Sequence, residues 1–230
     1  MFSKTIFFIL GFYFFTLPCF SQQSNDAGMW ATLSLQHPLN KKISLVVDQE
    51  IRIKENYQRI NLFYTNLGID YKLNKYIKIS PTYRAIQKKR LEGTYSYRHR
   101  LMLDVTVKKK LNKITIGERI RYQAEVQDFY TSKKGKLVEQ FLRFKTDLKY
   151  SVTSKITPFI SCEFRYQIHA PRGDGPTYDK AFHRVRNVLG AEYEINKKNS
   201  FSLYYLYQTE FDISTPESIY ILGLAYTLEF

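Results

Sequence analysis

A chain of 230 residues is long enough for one domain, but its composition is unusual for a soluble one: 19 Tyr and 17 Phe stand beside a single Trp, and the formal net charge is +14. That charge is spread along the sequence, with no basic arm and no basic helix face, so nucleic-acid binding has no motif to rest on. The 2 cysteines, Cys19 and Cys162, cannot build a paired-cysteine metal site, and no metal or cofactor is expected.

Residues 1–21, MFSKTIFFILGFYFFTLPCFS, read as a secretory signal peptide. Lys4 supplies the basic start and Thr5 to Phe15 the apolar run. Cys19 and Ser21 are the small residues before a cut ahead of Gln22. The run is too short and too early for a membrane anchor, and Pro18 ahead of Cys19 argues against lipidation. Cleavage would leave Cys162 without an intrachain disulfide partner; it reads as a small apolar residue on a strand.

The mature part, 22–230, alternates strand-like runs with two kinds of connection. The expected strands are 29–37, 43–53, 60–73, 76–88, 96–109, 113–126, 138–152, 155–168, 181–195, 199–211 and 218–230. In Ile43, Leu45, Val47, Ile51, Ile53, interrupted only at Gln49, and again in Phe201, Leu203, Tyr205, Tyr207, every second residue is apolar. Between them lie Asp48, Glu50 and Arg52, or Ser202 and Gln208. This dyad period belongs to sheets with two unlike faces and not to helical repeats. Most runs exceed the globular mode of about 5 to 6 residues and suit a tilted crossing of about 9 to 11.

Short turns follow a pattern: Leu39-Asn40-Lys41-Lys42, Leu73-Asn74-Lys75, Leu111-Asn112-Lys113, Thr153-Ser154-Lys155 and Ile195-Asn196-Lys197-Lys198. Asn in these turns is expected to supply positive φ. Longer polar loops fall near 54–59, 89–95, 127–137, 169–180 and 212–217. Short turns alternating with long loops, with aromatics such as Tyr71, Tyr150 and Phe201 near one margin and Tyr83, Tyr97 and Tyr122 near the other, are the plan of an outer-membrane barrel. The fold expected is a closed antiparallel up-and-down transmembrane β-barrel of 10–12 strands. An even barrel from residue 43 would close normally, so segment 29–37 either lines the lumen or pairs as an odd eleventh strand. Pro81 within a strand and Glu118 on a lipid-facing register are irregularities that a bulge would repair.

The last run alternates Tyr220, Leu222, Leu224, Tyr226, Leu228, Phe230. Tyr226, Leu228 and Phe230 resemble the C-terminal signal read by the barrel assembly machinery. A terminal Phe at the periplasmic rim puts every Asn/Lys turn on that side and every long loop outside.

The inward set is charged: Glu50, Arg52, Arg84, Arg98, Arg100, Asp104, Arg119, Arg121, Arg143, Glu163, Arg165, Arg184, Arg186 and Glu192 form the expected lumen network. Salt bridges can plug a barrel of this size. Alternatively they line a narrow polar path, or an anionic-ligand site at the Arg-rich outer half; any path should favour anions. Among partners, the assembly machinery, outer-membrane lipids, lipopolysaccharide phosphates and small solutes fit this reading.

Small outer-membrane barrels include lipid-acting enzymes, whose chemistry needs a nucleophile beside an oriented base. None of His37, His99, His169 or His183 is followed by the x-Ser of barrel lipases, so no catalytic residue is assigned and no enzymatic activity is expected. A lipid-acting enzyme is the runner-up reading. The runs Met29-Trp30-Ala31-Thr32, Leu39-Asn40-Lys41-Lys42, Glu50-Ile51-Arg52 and Tyr97-Arg98-His99-Arg100 resemble an uncharacterised outer-membrane family, domain of unknown function 2490. The resemblance implies a barrel of Bacteroidetes type over residues 27–230 and brings no activity with it.

Overall fold

The computed structural model describes residues 24–90, 92–128, 133–171, 180–213 and 215–230; the expected signal peptide lies outside them. The described residues form eleven strands: β1 (Ser24–Pro38), β2 (Ile43–Lys54), β3 (Arg59–Lys72), β4 (Ile77–Lys89), β5 (Tyr95–Leu111), β6 (Ile114–Gln127), β7 (Glu139–Tyr150), β8 (Ile156–His169), β9 (Phe182–Asn196), β10 (Asn199–Glu210) and β11 (Glu217–Glu229). They close into one barrel in chain order. Closure leaves no unpaired edge, the condition for a sheet to cross a bilayer.

The expected all-antiparallel ring needs one correction. β1 is antiparallel to β2 but parallel to β11, with Ser24 opposite Glu217 and Gln36 opposite Glu229. An odd number of strands in chain order forces one parallel seam. Segment 29–37 is thus the eleventh strand, and it starts five residues earlier than its apolar pattern indicated. At its far end the seam is tied off by Phe230, whose amide donates to the Gln36 carbonyl at 3.1 Å and whose carbonyl oxygen lies 2.8 Å from His37 Nδ1.

The chain folds with apolar residues outward. Leu101 and Leu189 are each 63% exposed, while the interior holds Glu50, Arg84, Asp104 and Glu163 at 7% or less. This inversion is the mark of a surface meant for hydrocarbon. Glu118 does face outward: the ladders of β6 run through it without a bulge, and Thr146 Oγ1 donates to its carboxylate at 2.9 Å. Pro81 causes no bulge either. The β3–β4 ladder lapses opposite it and resumes at Tyr71–Ile79 in the same register.

The turns work by a different device from the one their Asn residues suggested. Among the Asn residues of the short turns only Asn112 has positive φ, at 55°. Elsewhere the side chain does the work: Asn40 Oδ1 accepts from the amides of Lys42 and Ile43 at 2.8 and 2.9 Å, and Asn74 does the same for Tyr76 and Ile77. Thr153 Oγ1 repeats the pattern at Lys155 and Ile156. These are Asx- and ST-turns, which mimic a backbone turn without left-handed strain.

One interior row alternates large and small side chains. Reading across the strands it runs Arg52, Trp30, Gly223, Tyr204, Gly190, Phe159. A Cβ on Gly223 would lie 2.0 Å from the Tyr204 ring, and one on Gly190 would lie 2.6 Å from Tyr204 Cβ and 2.7 Å from the Leu203 carbonyl oxygen. The glycines let the rings lie along the wall. Gly223→Ala can be relieved if Tyr204 swings away, whereas the clash at Gly190 involves backbone. Gly190→Ala is therefore expected to cost about 1–3 kcal/mol and Gly223→Ala less. Urea unfolding in detergent micelles would measure both, and equal losses would refute the backbone argument.

The candidate lumen site

Each of the fourteen charged residues expected in the lumen lies on an inward register position. Three cavities follow one another along the axis. One at the loop end has a volume of about 350 Å³, a central one about 420 Å³ and one at the turn end about 320 Å³. The first two share Arg52, Arg84, Arg143 and Arg186 as lining, and the last two share Asp48, Asn66, Arg119, Arg121 and Lys145. Side chains and not backbone therefore separate the chambers.

Charge is distributed unevenly among them. Arg52, Arg84, Lys88, Arg98, Arg100, Arg143, Arg165, Arg184 and Arg186 line the loop-end chamber, against Glu125 and Glu139. The turn-end chamber is nearly balanced, with Asp48, Asp70, Asp104 and Asp147 against Lys78, Lys108, Arg119, Arg121 and Lys145. At that end the acids sit among the lysines and offset most of their charge.

The network gathers into clusters, two of them joined where Arg119, held by Glu163, also lies 3.7 Å from Asp104. Glu163 is the hub of the largest: Arg119 donates to it at 2.5 Å, Arg143 donates through both Nε and Nη2, and Arg186 lies at 3.5 Å. Arg121 grips Asp104 with two bonds of 2.6 and 2.7 Å. Glu125 accepts from Arg98 and Arg100, Glu50 from Arg52 at 2.5 Å, and Glu210 from Arg184. Glu192 stands apart near the turn end, bonded to Lys149 at 2.7 Å. Such fork-to-carboxylate bonds are strong and directional.

Two guanidinium groups have no ion-pair partner among the described residues, Arg84 and Arg165. Arg84 donates to Asn66 Oδ1 at 2.6 Å and lies over the Tyr64 ring at 3.6 Å. Arg165 donates to His183 Nε2 at 2.7 Å and lies over Phe141 at 4.7 Å. Stacking on an aromatic face offsets part of the desolvation of a cation.

Sequence reasoning missed the aromatic lining. Trp30, Tyr64, Phe141 and Tyr204 all point inward, and Arg52 lies 3.6 Å above the Trp30 ring. Phe141 and Tyr204 share strand parity with Arg143 and Ser202, so alternation alone could have found them. His183 could not be found that way. It is the extra residue of a bulge, since Arg165 pairs with Arg184 and Tyr166 with Phe182. Further bulges at the loop end add Asn61 on β3 and Ile168 on β8. Bulges re-aim side chains and concentrate beside functional sites.

The histidines do not converge. His99 faces outward against Tyr83, with a 2.6 Å bond to its hydroxyl; His37 lies at the turn end; His183 is interior; His169 ends β8. Among the described residues, no three His, Cys, Asp or Glu side chains gather as a metal ion would need.

A closed sheet that is apolar outside and charged within defines a transmembrane β-barrel protein. The chain belongs to the family described as "Protein of unknown function (DUF2490)", whose model matches residues 27–218. Comparison with curated proteins finds no match. Among solved structures, a NanC porin in a rhombohedral crystal form is similar at a TM-score of 0.53 and 13% identity, over 88% of this chain and 98% of that one. LpxR from Salmonella typhimurium is similar at a TM-score of 0.51 and 13% identity, over 86% and 87%. At such identity the likeness is one of fold.

Proposed function

We propose that this protein resides in the outer membrane of a Gram-negative bacterium and acts as a narrow pore that favours small anions. The observation carrying this reading is the series of three chambers separated only by side chains, with nine cations against two carboxylates at the loop end. A cleft lined by one sign of charge raises the local concentration of its counter-ions. In this reading the Asn/Lys turns face the periplasm, the loops face outward, and basic rim residues meet lipopolysaccharide phosphates. Tyr226, Leu228 and Phe230 serve as the segment read by the assembly machinery. The dispersal of the four histidines weighs against the lipid-acting alternative, because among the described residues none of them is hydrogen-bonded to a Ser, Thr or Cys nucleophile.

Planar-bilayer recordings test this. In a potassium chloride gradient the reversal potential should lie on the chloride side. The double change Arg84→Gln with Lys88→Gln should move it toward zero, since both line the loop-end chamber. A reversal potential tilted to potassium, or a silent bilayer, would sink the pore. Phospholipid or lipid A hydrolysis that is lost on a His→Ala change would favour the enzyme.

A further inference from the structure

The lumen holds a row of four arginines in direct cross-strand register: Arg121, Arg143, Arg165 and Arg184, on β6 to β9. Like charges placed opposite one another repel. Acids relieve this at three of the four positions. Arg121 has Asp104, Arg143 reaches Glu163, and Arg184 has Glu210. Arg165, flanked by Arg143 and Arg184, has no carboxylate within ion-pair distance among the described residues. The row is short of one negative charge, and it is short of it at Arg165.

The next row toward the loop end is Gln123, Phe141, Gln167, again in register across β6, β7 and β8. Both glutamines line the loop-end chamber together with Arg165. Gln167 is 1% exposed and Gln123 2%. Among the described residues neither amide atom of Gln167 has a hydrogen-bond partner, nor does Gln123 Oε1. Buried polar groups of this kind ordinarily find partners, and each exception calls for an explanation. Bulges at Ile168 and His183 adjoin this spot, so the wall is locally reshaped there.

We infer that the loop-end chamber contains a binding site for a hydroxylated carboxylate of sugar-acid type, seated on Arg165 and held by Gln123 and Gln167. The inference rests on the proposed anion pore and names the solute class it would select. The carboxylate supplies the charge that the arginine row lacks. Its hydroxyls donate to the two glutamine carbonyl oxygens, and the Gln167 amide donates in return. A halide meets only the first requirement. A neutral sugar meets only the second. A volume of about 350 Å³ accommodates a single sugar ring.

The test is calorimetric titration of the full-length protein in detergent with sodium glucuronate, sodium acetate and glucose. Glucuronate is expected to bind at least ten-fold more tightly than either of the others. Gln167→Leu should erase the preference for glucuronate over acetate, and Arg165→Gln should abolish binding of both. Heat-modifiable gel mobility reports whether each variant is folded. Should Gln167→Leu misfold, Gln167→Glu keeps the shape, places a carboxylate beside Arg165 and should also abolish binding. Equal affinity for glucuronate and acetate, or no binding by folded wild-type protein, would overturn the site. Reversal potentials in plain potassium chloride judge the pore separately, so either claim can fail while the other stands.

Discussion

Replacing Glu163 with glutamine is expected to lower the unfolding stability of the barrel by about 3–5 kcal/mol, the range for stripping a buried ion pair of one partner. Glu163 sits on β8 and draws in Arg119 of β6, Arg143 of β7 and Arg186 of β9, so one carboxylate ties four neighbouring strands. Its side chain is 7% exposed and the three arginines 20% or less, so solvent screens these contacts only in part. Arg119 retains Asp104 at 3.7 Å after the change. Arg143, with Arg121 and Arg165 on either side, loses the negative charge it faces, although the amide oxygen can still accept from its Nε and Nη2. Glutamine keeps the volume and one acceptor oxygen, so the loss measures charge and not a cavity. Glu118→Gln on the outer face is the control, expected within about 0.5 kcal/mol of wild type. A loss below about 1 kcal/mol for Glu163→Gln would mean that lumen water already screens the cluster.

Much of this architecture is legible in the sequence because alternation reports facing directly. A dyad period sorts Leu142, Phe144 and Leu148 from Arg143, Lys145 and Asp147 without knowledge of any neighbour, and the structure has the same division. Strand ends are legible too, since Asn and Thr turns punctuate one end of every hairpin. Which inward residues meet is a different matter. Cross-strand register depends on turn geometry and on bulges, and a one-residue shift changes every partner. The set of arginines could be read from parity; their alignment as Arg121, Arg143, Arg165, Arg184 could not. The same holds for His183, whose inward aim exists only through a bulge. For segment 29–37 the alternation was visible, but a strand in the wall and a strand laid in the lumen share that pattern.

Removing β1, in a mature chain that starts at Lys41, is expected to yield a folded ten-stranded barrel and not an open sheet. Because β1 is antiparallel to β2 and parallel to β11, those two strands run in opposite directions and can pair directly. Leaving them open would strand amides in hydrocarbon at several kcal/mol each. Closure removes one strand spacing of about 4.8 Å from the circumference and narrows the lumen by about a tenth, so conductance should fall. Trp30 goes with β1, uncovering Leu206, Ile219 and Ile221 and taking the ring from beneath Arg52. That loss alone is worth about 3–5 kcal/mol on the scale of large core truncations. Trp30→Ala in the full chain separates the two contributions of β1. If truncation and Trp30→Ala destabilise equally, β1 acts by filling the lumen, and the parallel seam is no stronger than the antiparallel one that replaces it. If the truncated chain gives no heat-modifiable form, β2 and β11 cannot meet, and the odd strand is what closes the ring.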